Sequence, residues 1–355
     1  MCEQISRQWS GVRVAAGCAA RGIVLIGLVN FMSRFLVMAY LLILPTSFLQ
    51  FSNEGLADES QVAMNRKRIQ FQSSADGSDQ EAMLIVPALD AKSQEPVPLV
   101  VSLHSWSADL EQRNALEKLV HSRGWIYLFP NFRGSNRTPQ ACASTLAQQD
   151  ILDSIAWVVD QQSVDEDRIY LAGTSGGGHM TMLMAARHPE LWRAASAWVG
   201  ISDLVIWHAH HRNQKYGKMI EQCCGGAPGA SPEVDAQYRN RSPITYFSQA
   251  RDVAIDISAG LKDGHEGSVP ISHSINAFNL IAKARGDRPV TNMEISQLSR
   301  PGKLERAKPG DEGFDATFNR KYFLRRRSGN ARLTIFDGGH EGIATATIAW
   351  FEKHP

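Results

Sequence analysis

The sequence predicts an α/β fold, a mostly parallel central sheet of about eight strands with helices on both faces. Three observations carry that expectation. From Gln61 onward, strand-like and helix-like segments alternate. The run Leu99-Val100-Val101-Ser102-Leu103 is short, apolar and β-branched, as a buried strand should be. A glycine-flanked serine stands directly between one such strand and the helix after it.

In chain order, Lys67 to Gln72 and Glu81 to Val86 read as early antiparallel strands, followed by the buried run at Leu99 to Leu103. Gln112 to Ser122 has helical spacing through Leu116, Leu119 and Val120, with Gly124 as its stop. Trp125 to Phe129 is a strand halted by Pro130. Asp150 to Asp160 is an amphipathic helix through Ile151, Ile155 and Val158-Val159. Arg168 to Ala172 is a strand, Met180 to Arg187 a helix closed by Pro189, and Ala194 to Val199 a strand. Asp252 to Ala259 (strand), Ser272 to Ala284 (helix), Arg332 to Phe336 (strand) and Ile343 to Glu352 (helix) complete the series. Two segments break the rhythm. Trp207 to Phe247, rich in His, Gly, Arg and Pro, suits a cap over a site, and the charged Arg300 to Arg327 suits an insertion between the last two strands.

The 355 residues are 43% hydrophobic and 21% charged, an ordinary globular balance that allows one large α/β domain. A net charge of +1 lacks the basic surplus of a nucleic-acid binder. The amino terminus carries two apolar runs, Gly22 to Met32 and Phe35 to Leu44, around Arg34. The second run suits the apolar core of an export signal whose start is Met32, with Met32-Ser33-Arg34 as its positive segment, Gly55-Leu56-Ala57 as cleavage site and Asp58 near the mature start; residues 1–31 are then not translated. The alternative is a membrane anchor, although each run alone is shorter than the ~20 apolar residues a span needs. Of five cysteines, Cys2 and Cys18 fall before Asp58, outside the expected mature chain. Cys142 either pairs with Cys223 or Cys224, or all three are free and buried.

Gly173-Thr174-Ser175-Gly176-Gly177 is a G-x-S-x-G sequence, common by itself. Its position after an apolar strand and before a helix is the setting of a nucleophile elbow, and it specifies an α/β-hydrolase fold. The turn is so tight that only glycine fits two residues before and two after the serine. A serine hydroxyl needs a base, and in this fold the order is Ser, acid, His. His340, on Asp337-Gly338-Gly339-His340-Glu341-Gly342 after the last strand, alone among eleven histidines combines position, flanking glycines and a strand-to-helix setting. Asp263, after the preceding strand, is the expected acid, with Glu266 and Asp203 as rivals. The oxyanion hole is expected from the N–H groups of Gly176 and of Trp106 in His104-Ser105-Trp106-Ser107, with Ser105 as the alternative donor.

These residues together resemble the catalytic domain of the prolyl oligopeptidase family. Val164-Asp165-Glu166-Asp167-Arg168-Ile169 running into the elbow is similar to that family's approach to its nucleophile. Asn131-Phe132-Arg133-Gly134-Ser135, Arg241-Ser242-Pro243 and Ser268-Val269-Pro270 also fit, and the resemblance covers roughly Pro98 to the carboxyl end. It implies a serine hydrolase that cleaves ester or peptide bonds through an acyl-enzyme, without cofactor or metal. Three departures stand out. Only about forty residues separate the leader from the hydrolase core, too few for the β-propeller of the family's peptidases. The acid loop is extended by Gly264 to Gly267, and His-Ser-Trp replaces the frequent His-Gly-Gly. Stand-alone domains of this kind are often esterases acting on acylated polysaccharides.

Residues 58–355 are thus expected to be a single hydrolase domain with a lid-like segment over 204–250, acting on a small-molecule, peptide or acylated-polysaccharide substrate. Nucleic acid and a stable membrane partner are not expected. A catalytically inactive binding protein is the alternative from another class, and the intact Ser, Asp and His speak against it. His208, His210 and His211 read as solvated lid residues rather than a metal cluster, and His179 as packed. His265 and Glu266 shape the acid loop. Arg325-Arg326-Arg327 reads as a solvated face, with binding of an anionic substrate group as the alternative, and Arg133 either lines the site or braces its loop by ion pairing.

Overall fold

The computed structural model describes residues 64–87, 95–300 and 302–355. The expected leader, with its start at Met32 and its cleavage site, lies outside these residues, as do Cys2 and Cys18. The strands are β1 (Arg66–Gln72), β2 (Asp79–Ile85), β3 (Val97–Leu103), β4 (Ile126–Pro130), β5 (Val164–Thr174), β6 (Ala194–Trp198), β7 (Ile255–Gly260), β8 (Gly313–Asp315), β9 (Arg320–Ser328) and β10 (Ala331–Phe336). They form one sheet in the order β1-β2-β4-β3-β5-β6-β7-β10-β9-β8. The run from β4 to β10 is parallel, and the flanking pairs are antiparallel.

The helices are α1 (Leu116–His121), α2 (Thr145–Gln161), α3 (Gly176–Arg187), α4 (Leu204–His211), α5 (Lys215–Cys224), α6 (Pro232–Arg241), α7 (Ser272–Arg285), α8 (Asn292–Ser299) and α9 (Ala344–Glu352). Successive residues of a strand point to opposite faces, so Leu99 and Val101 of β3 pack with Ile151 of α2, Met182 of α3 and Phe278 of α7. Val100 faces the other way, with Val120 of α1 and Trp350 of α9. Both faces are covered, which is why the central strands are largely apolar, and the buried Asp256 of β7 is paired with Arg332 of β10 at 2.7 Å.

The sheet has ten strands where about eight were expected. The additional pair, β8 and β9, lies in the segment expected to be a charged insertion. Its arginines hide the strand pattern because they are neutralised in place rather than left to solvent. Arg325 pairs with Asp315 at 2.7 Å and lies over the Tyr322 ring, and Arg326 pairs with Asp311 at 2.6 Å and Glu294 at 3.0 Å. Only Arg327 of the three is exposed, so the expected solvated face is corrected.

Helix boundaries differ for local reasons. Helix α1 begins at Leu116, not Gln112, because Asn114 Oδ1 accepts the Leu116 N–H at 2.9 Å and ends the preceding turn. Helix α2 begins at Thr145, five residues before Asp150, because Ser144 caps it by accepting from the Ala147 N–H. Helix α8 was not anticipated, although Thr291 and Glu294 form a reciprocal capping box at its start. The segment expected to be a cap folds as α4, α5 and α6 around Trp207, Met219, Ile220, Cys223, Cys224 and Tyr238. Among the described residues no helix is long and apolar enough to cross a membrane.

Candidate active site

Strand β5 delivers Ser175 at its carboxyl end, and α3 starts at the next residue. Ser175 has φ 62° and ψ −116°, a left-handed backbone that non-glycine residues rarely adopt. The turn is held by contact. A β-carbon on Gly173 would lie 2.3 Å from the Gly177 carbonyl carbon, and one on Gly177 would lie 2.1 Å from Leu103 O. Neither position admits a side chain, and the packing fixes a conformation that costs roughly 1–3 kcal/mol in isolation. Ser175 is only 8% exposed, with its N–H bonded to Trp198 O at 2.9 Å.

The loops after β7 and β10 bring in the other two groups. His340 Nε2 lies 2.9 Å from Ser175 Oγ, and His340 Nδ1 lies 2.8 Å from Asp263 Oδ2. Asp263 is buried, and its other oxygen accepts the N–H groups of Gly264 at 2.9 Å and Val269 at 3.0 Å. These three contacts hold the carboxylate in place and orient the imidazole with Nδ1–H toward it and the Nε2 lone pair toward the serine. The two loops are tied by backbone bonds from Leu261 N–H to Phe336 O (2.8 Å) and from Lys262 N–H to Gly338 O (3.0 Å). Gly267 packs across the pair, where a β-carbon would lie 2.2 Å from Asp263 Oδ1 and 2.7 Å from His340 Cβ.

The rival acids are elsewhere engaged. Asp203 is the N-cap of α4, accepting from Val205 and Ile206 N–H, and Glu266 is exposed. The two expected oxyanion donors are adjacent, since a β-carbon on Gly176 would lie 2.3 Å from Trp106 N. Neither N–H has a partner among the described residues. The N–H of Ser105, the alternative donor, is bonded to Gln112 Oε1 at 2.8 Å. The Trp106 ring is buried, edge-on to Trp207 and His179.

Histidines support the site from behind. His104 stacks on Phe132 at 3.8 Å, burial lowers its pKa, and its ring nitrogens lie 3.0 Å from Ser105 O and 2.9 Å from Asn131 O. This joins the Trp106 loop to the Asn131 loop. His179 is packed as expected, donating from Nδ1 to Ile201 O at 2.8 Å, and burial pulls its pKa down to about 4. His273 accepts the Ser202 N–H at 3.2 Å, and burial pulls its pKa to about 3. The lid histidines are not all solvated, which corrects the expectation. His208 is buried against Glu221 at 2.7 Å, and His211 is buried with Nε2 on Ser268 O at 2.7 Å; only His210 is exposed. Among the described residues no cluster of three or more His, Cys, Asp or Glu could hold a metal ion.

Arg133 braces its loop and does not reach the serine. It pairs with the fully buried Asp150 at 2.5 Å and with Asp76 at 2.8 Å, and its guanidinium holds the Asp76 carboxyl well below the usual range. These bonds hold Phe132 and Arg133 at φ 31° and 73°. Cys142, Cys223 and Cys224 are free thiols and all buried. Sequence reasoning missed Ser268, Gln112, His104 and His273 as site residues. Ser268 lay within a quoted motif, but its contact with His340 (Oγ to Nε2, 3.4 Å) crosses between two loops.

Comparison with known proteins gives a consistent assignment. The model of the prolyl oligopeptidase family matches residues 112–295. Acetylxylan esterase A of Emericella nidulans is 39% identical over 120 residues, 34% of this chain and 32% of that protein. Dipeptidyl aminopeptidase BIII of Pseudoxanthomonas mexicana is 27% identical over 124 residues, 32% of this chain and 18% of that protein. The matches to these relatives therefore span well under half of their length. Among solved structures, a Mycobacterium tuberculosis puromycin-hydrolyzing peptidase superposes with TM-score 0.56 at 17% identity, over 84% of this chain and 41% of that one. An acylaminoacyl peptidase of Pyrococcus horikoshii gives TM-score 0.52 at 20% identity, over 63% and 36%. These likenesses establish the α/β-hydrolase fold.

Proposed function

The chain belongs to the prolyl oligopeptidase family and is a serine hydrolase, and we propose that Ser175 is its nucleophile, His340 its base and Asp263 the carboxylate that orients the base. The observation that carries this reading is the continuous relay from Ser175 Oγ through His340 to Asp263, at 2.9 and 2.8 Å. Ser175 Oγ attacks an acyl carbonyl as His340 Nε2 takes its proton. The negative charge that develops on the carbonyl oxygen is met by the Trp106 and Gly176 N–H groups, which no group among the described residues occupies. Collapse leaves an acyl-enzyme, and water activated by the same nitrogen releases the acid. No step calls on a metal or cofactor. An intact relay in a strained elbow disfavours the reading as an inactive binding protein.

We take the substrate to be an ester, as in acylated polysaccharides, from an exported protein whose residues 58–355 form the catalytic domain and whose 204–250 segment serves as lid. The support is the stronger local identity to an acetylxylan esterase than to a peptidase. The second reading, peptide hydrolysis, is favoured by the family itself and by its peptidase members. The test compares the full chain and its Ser175→Ala variant on an acetyl aryl ester and on a proline-containing peptide anilide. Ester turnover that falls about 10³-fold in the variant, with no anilide cleavage, is the expected result. Anilide cleavage dependent on Ser175 makes the protein a peptidase, and full ester activity in the variant removes the mechanism.

A further inference from the structure

We propose that Ser268 is a second catalytic hydroxyl, placed on the leaving-group side of His340. The inference rests on the reading of His340 as base and then acid. Two hydroxyls converge on one nitrogen, Ser175 Oγ at 2.9 Å and Ser268 Oγ at 3.4 Å from His340 Nε2. Nδ1 is committed to Asp263, so Nε2 carries a single lone pair, and the nearer serine takes it. The Ser268 O–H is therefore left to donate to something else in the same corner.

That corner is where the leaving group must stand. An oxygen that receives a proton from Nε2 has to come within roughly 2.6–3.2 Å of it. Ser268 Oγ already occupies the rim of that position. Its backbone is anchored from the lid side: the Ser268 carbonyl accepts from Trp207 Nε1 at 2.8 Å and from His211 Nε2 at 2.7 Å. From the other side, the next residue donates its N–H to Asp263 Oδ1. The backbone that carries the hydroxyl is thus fixed relative to both the acid and α4.

In the collapse of the tetrahedral intermediate, the bond between the acyl carbon and the leaving oxygen breaks. Its electron pair goes to that oxygen, the Nε2 proton moves onto it, and the carbonyl re-forms. Ser268 keeps its own proton and donates a hydrogen bond to the leaving oxygen as charge builds there. In deacylation the same hydroxyl holds the incoming water, whose proton passes to Nε2.

The role matters in proportion to the basicity of the leaving oxygen. The full chain, Ser268→Ala, Ser268→Cys and Ser268→Thr are compared by kcat/KM, which reports acylation, on 4-nitrophenyl acetate and on ethyl acetate. Nitrophenolate leaves without a proton and ethoxide does not. Ser268→Ala and Ser268→Cys are expected to lose about tenfold on ethyl acetate and less than about threefold on the nitrophenyl ester, and Ser268→Thr to recover most of the loss. The Ser268 carbonyl contacts survive all three substitutions, and urea midpoints at the wild-type value verify that the loop is intact. Equal losses on both esters, as a loosened loop would give, or no loss on ethyl acetate, overturn the proposal. Ser175→Ala run alongside separates the two readings. If it is inactive while Ser268→Ala is indifferent, only the second hydroxyl is lost; if it is active, the mechanism itself fails.

Discussion

The serine and the aspartate of the relay are held by different physics. At the elbow, β5 and α3 press backbone on backbone, so that Gly173, Gly177 and Leu103 leave no volume for a methyl group. At the acid loop, Asp263 is positioned by hydrogen bonds from Gly264, Val269 and His340, and the close neighbours of Gly267 are side-chain atoms, Asp263 Oδ1 and His340 Cβ, rather than backbone. A steric lock has no intermediate setting, because a backbone contact near 2 Å must be relieved by moving the strand. A hydrogen-bonded loop can yield by fractions of an ångström and keep part of its function. Ser175 is therefore held all-or-none, and Asp263 adjustably.

Substituting one methyl on each side tests that difference, and gives the largest expected effect. Gly177→Ala is expected to yield no folded, active enzyme, as read by circular dichroism and ester turnover. Gly267→Ala is expected to fold with a near-native urea midpoint and to lose about 10- to 100-fold in kcat, because Asp263 can shift. Equal damage from both would erase the distinction. A smaller loss in protein but a large one in rate is expected of Asp263→Asn, about 10³-fold in kcat with the fold intact, since the amide presents the wrong partner to Nδ1–H. Asp203→Asn keeps an N-cap oxygen on α4 and is expected to stay within about threefold. The reverse ranking would transfer the acid to Asp203.

The smallest effect separates the elbow's helix from its surroundings by pH. His179 on α3 is buried neutral, with its pKa down to about 4 against about 6.5 in an unfolded chain. Above pH 6.5 neither state binds the proton; as pH falls toward 4 the unfolded chain binds it and the folded one does not. Stability is thus lost on acidification, by about 2 kcal/mol between pH 7 and pH 5 from this residue. His179→Gln is expected to flatten that part of the decline in the urea midpoint. An unchanged slope would mean that His179 takes up a proton without unfolding.

The same contrast explains what could be read from the chain. The elbow was legible because steric demands write themselves as glycines at fixed offsets, and the parallel strands because burial on both faces leaves apolar runs. His340 followed from its glycine loop and Asp263 from the order of strands. The histidines of the cap segment were misread as solvated, because His208 and His211 look polar but lie buried, each satisfied by a partner from another segment. Strand β9 was missed because Arg325 and Arg326 are charged residues whose partners, Asp315, Asp311 and Glu294, are scattered along the chain. Pairing across loops leaves no period and no motif, and Ser268 escaped for the same reason.

The buried thiols carry one further consequence. Cys142, Cys223 and Cys224 lie in the cluster that joins Trp106 and Trp207 to α5 and α6. With Cys2 and Cys18 replaced by serine, every remaining thiol sits inside that cluster. A thiol-reactive dye added to the native protein then has nothing to modify until α5 lifts away. Its rate of colour development becomes a stopwatch for the opening of the layer above the oxyanion loop, readable at room temperature without denaturant.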